Sequence, residues 1–329
     1  MTLRGALADN PVQARRTRTP ALAGVLLGAV LWLSGCASTL QGRALQEAWP
    51  AHWPERVLLA DVPFFPQDDF LCGPATLAMV AQAAGSPVTP EILTPQVYLP
   101  GRQGALQVEM LAAARRQGLV PYLLAPDLSA LLEEVASGQP VLVLQNLSLP
   151  MAPMWHYAVV VGYDWANQTV ILHSGTTERL AMSLATFEHT WARSERWAVR
   201  VVAPAQLPAT AQPGAWASAV AALERVDARA AHTAWTTALQ RWPRHRLAML
   251  GLGNSAYVLG DLGGAALAFE AATEAHPDFA DAWNNLAQVR LELAQLPAAK
   301  EAAARAVALG GPRLATYQRL QQQIDQRMR

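Results

Sequence analysis

A glutamine and a cysteine with the spacing Q-x4-C open the most informative stretch of this chain. Gln67 precedes Cys72, which is followed by Gly73, Pro74 and an apolar, helix-compatible run. Proline is favoured just inside a helix start, because its missing N–H would have no partner there. Cys72 is therefore predicted at or next to a helix N-cap, where the helix dipole favours the thiolate. Gln67 would donate its side-chain amide to an oxyanion, and the pair predicts a cysteine hydrolase; a buried structural cysteine is the alternative.

Such a hydrolase needs a histidine base, and His156 is the strongest of seven candidates. It begins the strand-like run H-Y-A-V-V-V-G, directly after a loop rich in proline and methionine. A histidine at a strand end that faces a helix N-terminus has the geometry of a thiol–imidazole pair. Five other histidines are expected at the surface or in packing: His52, His189, His232, His245 and His276.

The elements that must position these residues follow from the pattern. Helices are predicted over 74–84, 105–117 and 127–137, whereas β-rich runs occupy 140–145, 156–162, 169–173 and 196–203. Arg56 to Val62 is predicted as an entering strand. Helices first and antiparallel strands afterwards favour an α+β domain, with helices on one sheet, over residues 56–203.

Composition excludes one class of partner. The chain has 329 residues, its formal net charge is zero and only 15% of its residues are charged. A nucleic-acid-binding protein would show a basic surface, so no nucleic-acid partner is predicted. The interpretation requires no cofactor and no metal.

Gln67, Cys72-Gly-Pro-Ala and His156-Tyr-Ala-Val-Val-Val-Gly occur in the order found in C39-type peptidases, and the chain resembles that family from about residue 57 to 203. The resemblance implies a papain-like fold and peptidase activity. In the family an aspartate after the next strand orients the imidazole, but the matching position here is His173. Asp164, at the end of the preceding strand, is the other candidate, although it suits a turn equally well.

The N-terminus predicts export and lipidation. Basic residues precede an apolar segment from Ala21 to Leu33, which is shorter than the roughly 20 residues of a membrane span. The segment ends in Leu-Ser-Gly-Cys36, which resembles the cleavage site of bacterial lipoproteins. Residues 1–35 are thus predicted as a lipoprotein signal peptide, Cys36 as the lipidated residue and 36–55 as a tether. Ser38 suggests sorting to the outer membrane, facing the periplasm; an ordinary signal peptide with a chance cysteine is the alternative.

Lipidation also affects how Cys72 is interpreted, because the sequence contains only two cysteines. With Cys36 carrying lipid, Cys72 has no partner for an intramolecular disulfide, and a lone thiol in an oxidising compartment is a candidate reactive group.

A second region follows a linker of alanine, proline and glutamine at residues 204–212. From residue 213 to 329 the sequence is alanine-rich and helical, and Pro243 and Pro277 mark a 34-residue period. Small and aromatic residues recur with that period, as in Trp235 and Phe269. The region resembles tetratricopeptide repeats and predicts an all-α solenoid of three units that recruits a protein partner. An unrelated alanine-rich bundle is the alternative.

The whole chain predicts a membrane-anchored cysteine peptidase that acts on a protein or peptide. Because the carboxylate of the family is missing at His173, a weak or inactive scaffold acting through its repeats is the second hypothesis. The third is acyl transfer other than proteolysis, since the same residues serve that chemistry.

Overall fold

The computed structural model of this chain describes residues 40–67 and 70–329. Cys36 and the predicted signal peptide lie outside these residues. An α+β domain comes first, and a helical region follows it. The helices of the first domain are Leu40–Glu47 (α1), Cys72–Ala83 (α2), Pro90–Val97 (α3), Gln107–Arg116 (α4), Leu128–Ala136 (α5) and Leu184–Ala192 (α6).

The domain is organised on a seven-stranded sheet in which each strand pair is antiparallel. The strands are Arg56–Leu58 (β1), Tyr98–Leu99 (β2), Gly104–Ala105 (β3), Val120–Leu123 (β4), Val141–Asn146 (β5), Trp155–Asp164 (β6), Thr169–Ser174 (β7), Thr177–Ser183 (β8) and Ala198–Val202 (β9). The spatial order of the sheet is β4-β9-β5-β6-β7-β8, and β1 pairs with β6. Two short strands, β2 and β3, form a separate hairpin.

Strand alternation divides the core between the two faces of the sheet, as successive side chains point to opposite faces. Leu142 and Leu144 of β5 pack with buried residues of α2, α3 and α4. Val141 and Val143 of the same strand pack with buried residues of α5 and α6 on the other face. The predicted α+β class is confirmed, but helices cover both faces of the sheet. The sequence interpretation also missed α3 and the exposed strand β8.

Residues 40–55 differ from the predicted tether. The helix α1 packs on the domain, with Leu45 and Trp53 in the same core as α5 and α6. Glu188 of α6 accepts a hydrogen bond from the Gly42 N–H at 3.2 Å. Trp49 stacks on Trp165 with ring centroids 4.1 Å apart. Apolar burial by these aromatic residues makes the described part of the segment an integral layer of the domain.

The helical region has the predicted period. Its helices are Pro213–Glu224 (α7), Ala228–Arg241 (α8), Arg246–Val258 (α9), Leu262–Ala275 (α10), Ala280–Glu292 (α11), Leu296–Leu309 (α12) and Leu314–Arg327 (α13). Helices α8, α10 and α12 begin at residues 228, 262 and 296, and α9, α11 and α13 begin at residues 246, 280 and 314, so both series advance in steps of 34.

Small residues let these helices cross closely. A Cβ on Gly251 would overlap the Trp235 ring. Ala231, Ala265 and Ala299, which occupy equivalent places in successive units, are fully buried. Stacking such units buries a continuous core, which explains why the repeat pattern in the sequence was sufficient to predict the solenoid.

The predicted linker is an ordered junction. Thr210 donates from its N–H and its hydroxyl to Glu134 Oε1, at 2.8 and 2.7 Å. The Gln212 N–H donates to the Tyr122 hydroxyl at 3.1 Å. Trp216 of α7 joins the same core cluster as β4 and α5. The first repeat is therefore packed on the α+β domain rather than flexibly tethered to it.

Within the two described ranges, none of the helices has both the length and the apolar character of a membrane span.

Candidate active site

Cys72 is the first residue of α2, at the helix terminus where the sequence predicts it. The next residue, Gly73, is buried, and a Cβ there would lie only 2.5 Å from the Ala105 Cβ. Glycine therefore permits close packing of the start of α2 against the β2–β3 hairpin. The first N–H groups of a helix have no partner within it, so they are free to hold an anion beside the thiol.

Gln67, Cys72 and His156 line one cavity of about 1090 Å³. The structure thus brings together the three residues that the sequence assigns to nucleophile, base and oxyanion donor. Apolar side chains form much of the remaining wall: Phe70, Leu106, Leu144, Met154 and Trp155.

Gln67 is prepared to donate a hydrogen bond to a ligand. Its side chain is only 6% exposed, yet neither its amide nitrogen nor its amide oxygen has a hydrogen-bond partner among the described residues. Its backbone N–H donates to the Gly175 carbonyl at 3.2 Å, which fixes the segment against the turn between β7 and β8. A buried polar group without a partner is costly, so an unpaired amide in a cleft points to a ligand that pairs with it.

The ring of His156 is held by Ser174. The Nε2 atom lies 2.9 Å from the Ser174 Oγ. Nδ1 forms no hydrogen bond with the described residues. Ser174 therefore occupies the orienting position that the sequence interpretation assigned to its neighbour.

His173 is wrong as the partner of His156, because it lies on the other face of the sheet. The strand register pairs His173 with Val159, three residues along β6 from His156, and an odd separation places side chains on opposite faces. The ring is 1% exposed, with Nε2 3.2 Å from the Val62 carbonyl and Nδ1 accepting from the Arg179 N–H. These bonds give it a structural place outside the cavity.

Asp164 is also wrong as the orienting residue. It ends β6, eight residues beyond His156, which corresponds to roughly 26 Å along an extended strand. Its Oδ1 accepts from the Asn167 N–H at 3.1 Å, and Oδ2 lies 3.7 Å from Arg56 Nε. Hydrogen bonds from Asn167 hold the pKa of this carboxyl below its usual range. It is a turn residue, which was the alternative that the sequence left open.

Burial favours the neutral forms of the Cys72 thiol and the His156 imidazole. It raises the pKa of the Cys72 thiol, although the backbone N–H groups of Tyr157, Gly73 and Cys72 itself act in the opposite direction. Burial likewise lowers the pKa of His156. Burial thus acts against the thiolate that the helix dipole favours. A neutral imidazole is the form that accepts a proton.

The thiol and the imidazole share the cavity without a direct hydrogen bond between them in the described structure. Contacts of this kind often tighten only when substrate binds. Nowhere in residues 40–67 and 70–329 do three His, Cys, Asp or Glu side chains gather in a group that could hold a metal ion.

The sequence interpretation missed two residues that contribute to this site, Ser174 and Gly175. It named His173 instead of the adjacent Ser174, because the face to which each β7 side chain points depends on a strand register that the sequence does not state. Gly175, with φ of +58°, was missed because it acts through its carbonyl, which positions Gln67. A glycine after a predicted strand was the available signal for the turn.

Family models match both regions of the chain. The peptidase C39-like family matches residues 59–199, and tetratricopeptide repeat models match residues 217–278 and 268–301. Residues 59–199 form a C39-like peptidase domain. Tetratricopeptide repeats follow it.

Solved structures give more distant likenesses. A protein of Bacillus anthracis described as a C39-like peptidase is 19% identical, with a TM-score of 0.39 over 45% of this chain and 98% of that one. The tetratricopeptide domain of Sgt2 from Aspergillus fumigatus is 22% identical, with a TM-score of 0.33 over 36% of this chain and 80% of that one. Both scores are low, so the assignment rests on the family models and the observed topology. A search of curated proteins finds no match to this chain.

Proposed function

We propose that this chain is a cysteine peptidase in which Cys72 attacks a peptide carbonyl. The observation that supports this most directly is the unpaired amide of Gln67 in the same cavity as Cys72 and His156. A structural cysteine would have no need of a buried, unpaired donor beside it. A developing oxyanion satisfies that donor in the transition state.

The reaction is proposed to begin with proton transfer from the Cys72 thiol to Nδ1 of His156. The sulfur then bonds to the carbonyl carbon, and the oxyanion accepts hydrogen bonds from Gln67 Nε2 and the Cys72 N–H. The imidazolium gives its proton to the departing amine as the carbon–nitrogen bond breaks, which leaves a thioester. Water, deprotonated by the same imidazole, cleaves the thioester and regenerates the thiol.

Ser174 is proposed as a positioning residue in this cycle. Its Oγ accepts the Nε2–H of the neutral ring, which leaves the lone pair on Nδ1 for the thiol proton. A hydroxyl stabilises the imidazolium less than a carboxylate does, so a modest turnover rate is expected for this triad.

Incubation of the purified chain with a peptide mixture, followed by mass spectrometry, tests the proposal. Hydrolysis products are expected from the wild type and none from Cys72→Ala or His156→Ala. Added amines separate the acyl-transfer alternative, because transfer would attach the amine to the new carboxyl end. Full peptidase activity in Cys72→Ala would refute the proposal.

A catalytically inactive scaffold is the second candidate. It is favoured by the serine where the family resemblance implies a carboxylate and by the burial that raises the thiol pKa. The scaffold predicts no cleavage of any peptide and unchanged cellular function in Cys72→Ala.

We further propose that the chain is anchored to the bacterial envelope through lipid on Cys36, in the outer membrane and facing the periplasm, and that its repeats recruit a protein. The N-terminal sequence supports the anchor, because basic residues are followed by an apolar segment and then by Leu-Ser-Gly-Cys36. Because α1 contacts the domain from Gln41 onwards, where Gln41 Oε1 accepts from the Leu128 N–H at 2.9 Å, the anchor would hold the peptidase close to the bilayer. Cys36→Ser should move the protein out of the membrane fraction, and its retention there would contradict the anchor.

A further inference from the structure

A loop without charged residues stands beside the candidate active site. Residues 147–155, here the apolar loop, have the sequence Leu-Ser-Leu-Pro-Met-Ala-Pro-Met-Trp. Met151 is 92% exposed and Leu149 is 61% exposed. The large side chains that this loop holds in solvent are Leu147, Leu149, Met151, Met154 and Trp155. Contiguous apolar surface of this kind marks a binding site more often than a chance arrangement.

Hydrogen bonds fix the backbone of the apolar loop in a conformation that exposes these side chains. The buried side chain of Asn146 accepts hydrogen bonds from the N–H groups of Ser148 and Met154, at 3.1 and 2.9 Å. The Leu147 N–H donates to the Met154 carbonyl at 2.9 Å. Arg193 closes the base of the loop by donating to the Ser148 carbonyl at 2.9 Å. A loop fixed before binding loses little conformational entropy when a ligand arrives.

The apolar surface continues into the cleft. Met154 and Trp155 line the same cavity as Cys72 and His156. Phe70, which is 50% exposed, lines it as well. A ligand bound on the apolar loop would therefore extend into the cavity that contains the Cys72 thiol.

We propose that the apolar loop, with Phe70, binds an apolar segment of the substrate polypeptide next to the bond that Cys72 attacks. The inference rests on the proposed peptidase function for the identity of the occupant. Methionine suits such a surface, because its flexible, polarisable side chain adapts to different apolar partners. A polypeptide fits better than an anionic bilayer, since the loop itself carries no lysine or arginine to meet lipid phosphates.

The test measures binding apart from catalysis. The full chain carrying Cys72→Ala is titrated against a fluorescent peptide in which leucine alternates with serine, and against its counterpart with glutamine in place of leucine. The leucine peptide should bind more tightly. Adding Leu149→Ser and Met151→Ser should weaken its binding about tenfold, the effect of losing part of two apolar contacts.

Matched controls make the result decisive. Leu267 of α10 is 69% exposed, and Leu267→Ser removes the same kind of side chain outside the loop, so it should leave binding unchanged. Met151→Ser alone keeps the test available if the double variant loses its cooperative thermal unfolding.

Equal binding of the leucine peptide by the loop variant and its parent would overturn the inference, and so would equal affinity for both peptides. A loop variant that binds peptide normally but sediments less with phosphatidylcholine vesicles would overturn it in favour of a lipid contact. If the leucine peptide binds but the wild-type chain does not hydrolyse it, only the peptidase proposal is refuted. Hydrolysis that ignores leucine content would refute only the role of the loop.

Discussion

Two buried polar regions of this molecule differ in how their donors and acceptors are used. At the junction with the repeats, Glu134 and Arg200 are almost fully buried, and Glu134 Oε1 accepts two hydrogen bonds from Thr210. In the cleft, the buried amide of Gln67 has no partner among the described residues. Glu134 Oε2 and Arg200 Nε form no hydrogen bond with the described residues, but they lie 3.9 Å apart as an ion pair. Charges compensated within the chain stabilise its structure, whereas an unpaired amide that lines a cavity is free for a ligand. Substitutions in the two regions should therefore have different consequences.

The largest expected effect is on stability, at the junction. Glu134→Ala leaves the buried guanidinium of Arg200 without its counter-charge, and burial already lowers the pKa of Arg200 to about 10. Breaking a buried pair in this way costs about 3–5 kcal/mol of the free energy of unfolding. Chemical denaturation should reveal the loss, with peptidase activity per folded molecule unchanged.

A double variant sharpens this prediction. Adding Arg200→Met to Glu134→Ala removes the unpaired charge, so the pair of substitutions should cost less than Glu134→Ala alone. A double variant that is less stable by the sum of two single losses would show that the ion pair contributes nothing as a pair.

The next effect is on catalysis, in the cleft. Gln67→Ala should lower kcat by about a hundredfold to a thousandfold, because it removes a donor to the oxyanion. The melting temperature should hardly change, since the amide makes no hydrogen bond within the described chain. Gln67→Glu, which keeps the shape but repels an oxyanion, should be at least as impaired. A marked fall in stability with normal kcat would reverse the comparison.

A smaller effect is expected at Ser174. Its substitution by alanine removes one neutral hydrogen bond to His156, worth roughly a tenfold loss of kcat. Ser174→Asp should raise the pKa of His156 and move the acidic limb of the pH–rate profile to higher pH. The matched control is His173→Gln, on the opposite face, which should lower stability without moving that limb.

The smallest effect is a displacement of the pH–rate profile of the wild type. Burial lowers the pKa of His156 from 6.5 and raises that of Cys72 from 9.0. The imidazole must be unprotonated to accept the thiol proton, so kcat/KM should rise on a limb below pH 6.5. Above the raised pKa of Cys72 the pair loses the proton needed by the leaving amine, so the falling limb should lie above pH 9.0. A rising limb above pH 6.5 or a falling limb below pH 9.0 would contradict the effect of burial on His156 and Cys72.

Much of this arrangement could be predicted from sequence. Proline after Cys72 marked a helix start, and the 34-residue period fixed the repeats, because both signals are local. The orienting residue of His156 could not be predicted in the same way. It depends on the register of β6 and β7, and a change of one residue exchanges His173 for Ser174.

The junction between the α+β domain and the repeats could not be predicted from sequence either, because it depends on contacts between residues far apart in the chain. Residues 204–212 have the composition of a linker, but composition does not reveal that Thr210 meets a buried carboxylate more than seventy residues away in the chain. Likewise, residues 36–55 were predicted as a tether, because Trp49 and Trp53 find their partners only in the folded domain.

The central claim is that His156 activates the thiol of Cys72. The rate at which iodoacetamide alkylates Cys72, followed by peptide mass mapping across pH, tests it most directly. Wild-type Cys72 should react at neutral pH, because the His156 imidazole accepts the thiol proton. His156→Ala should react far more slowly, because burial raises the pKa of Cys72 and leaves only a small thiolate fraction without the imidazole. Equal alkylation rates in the two proteins across the pH range would contradict the claim.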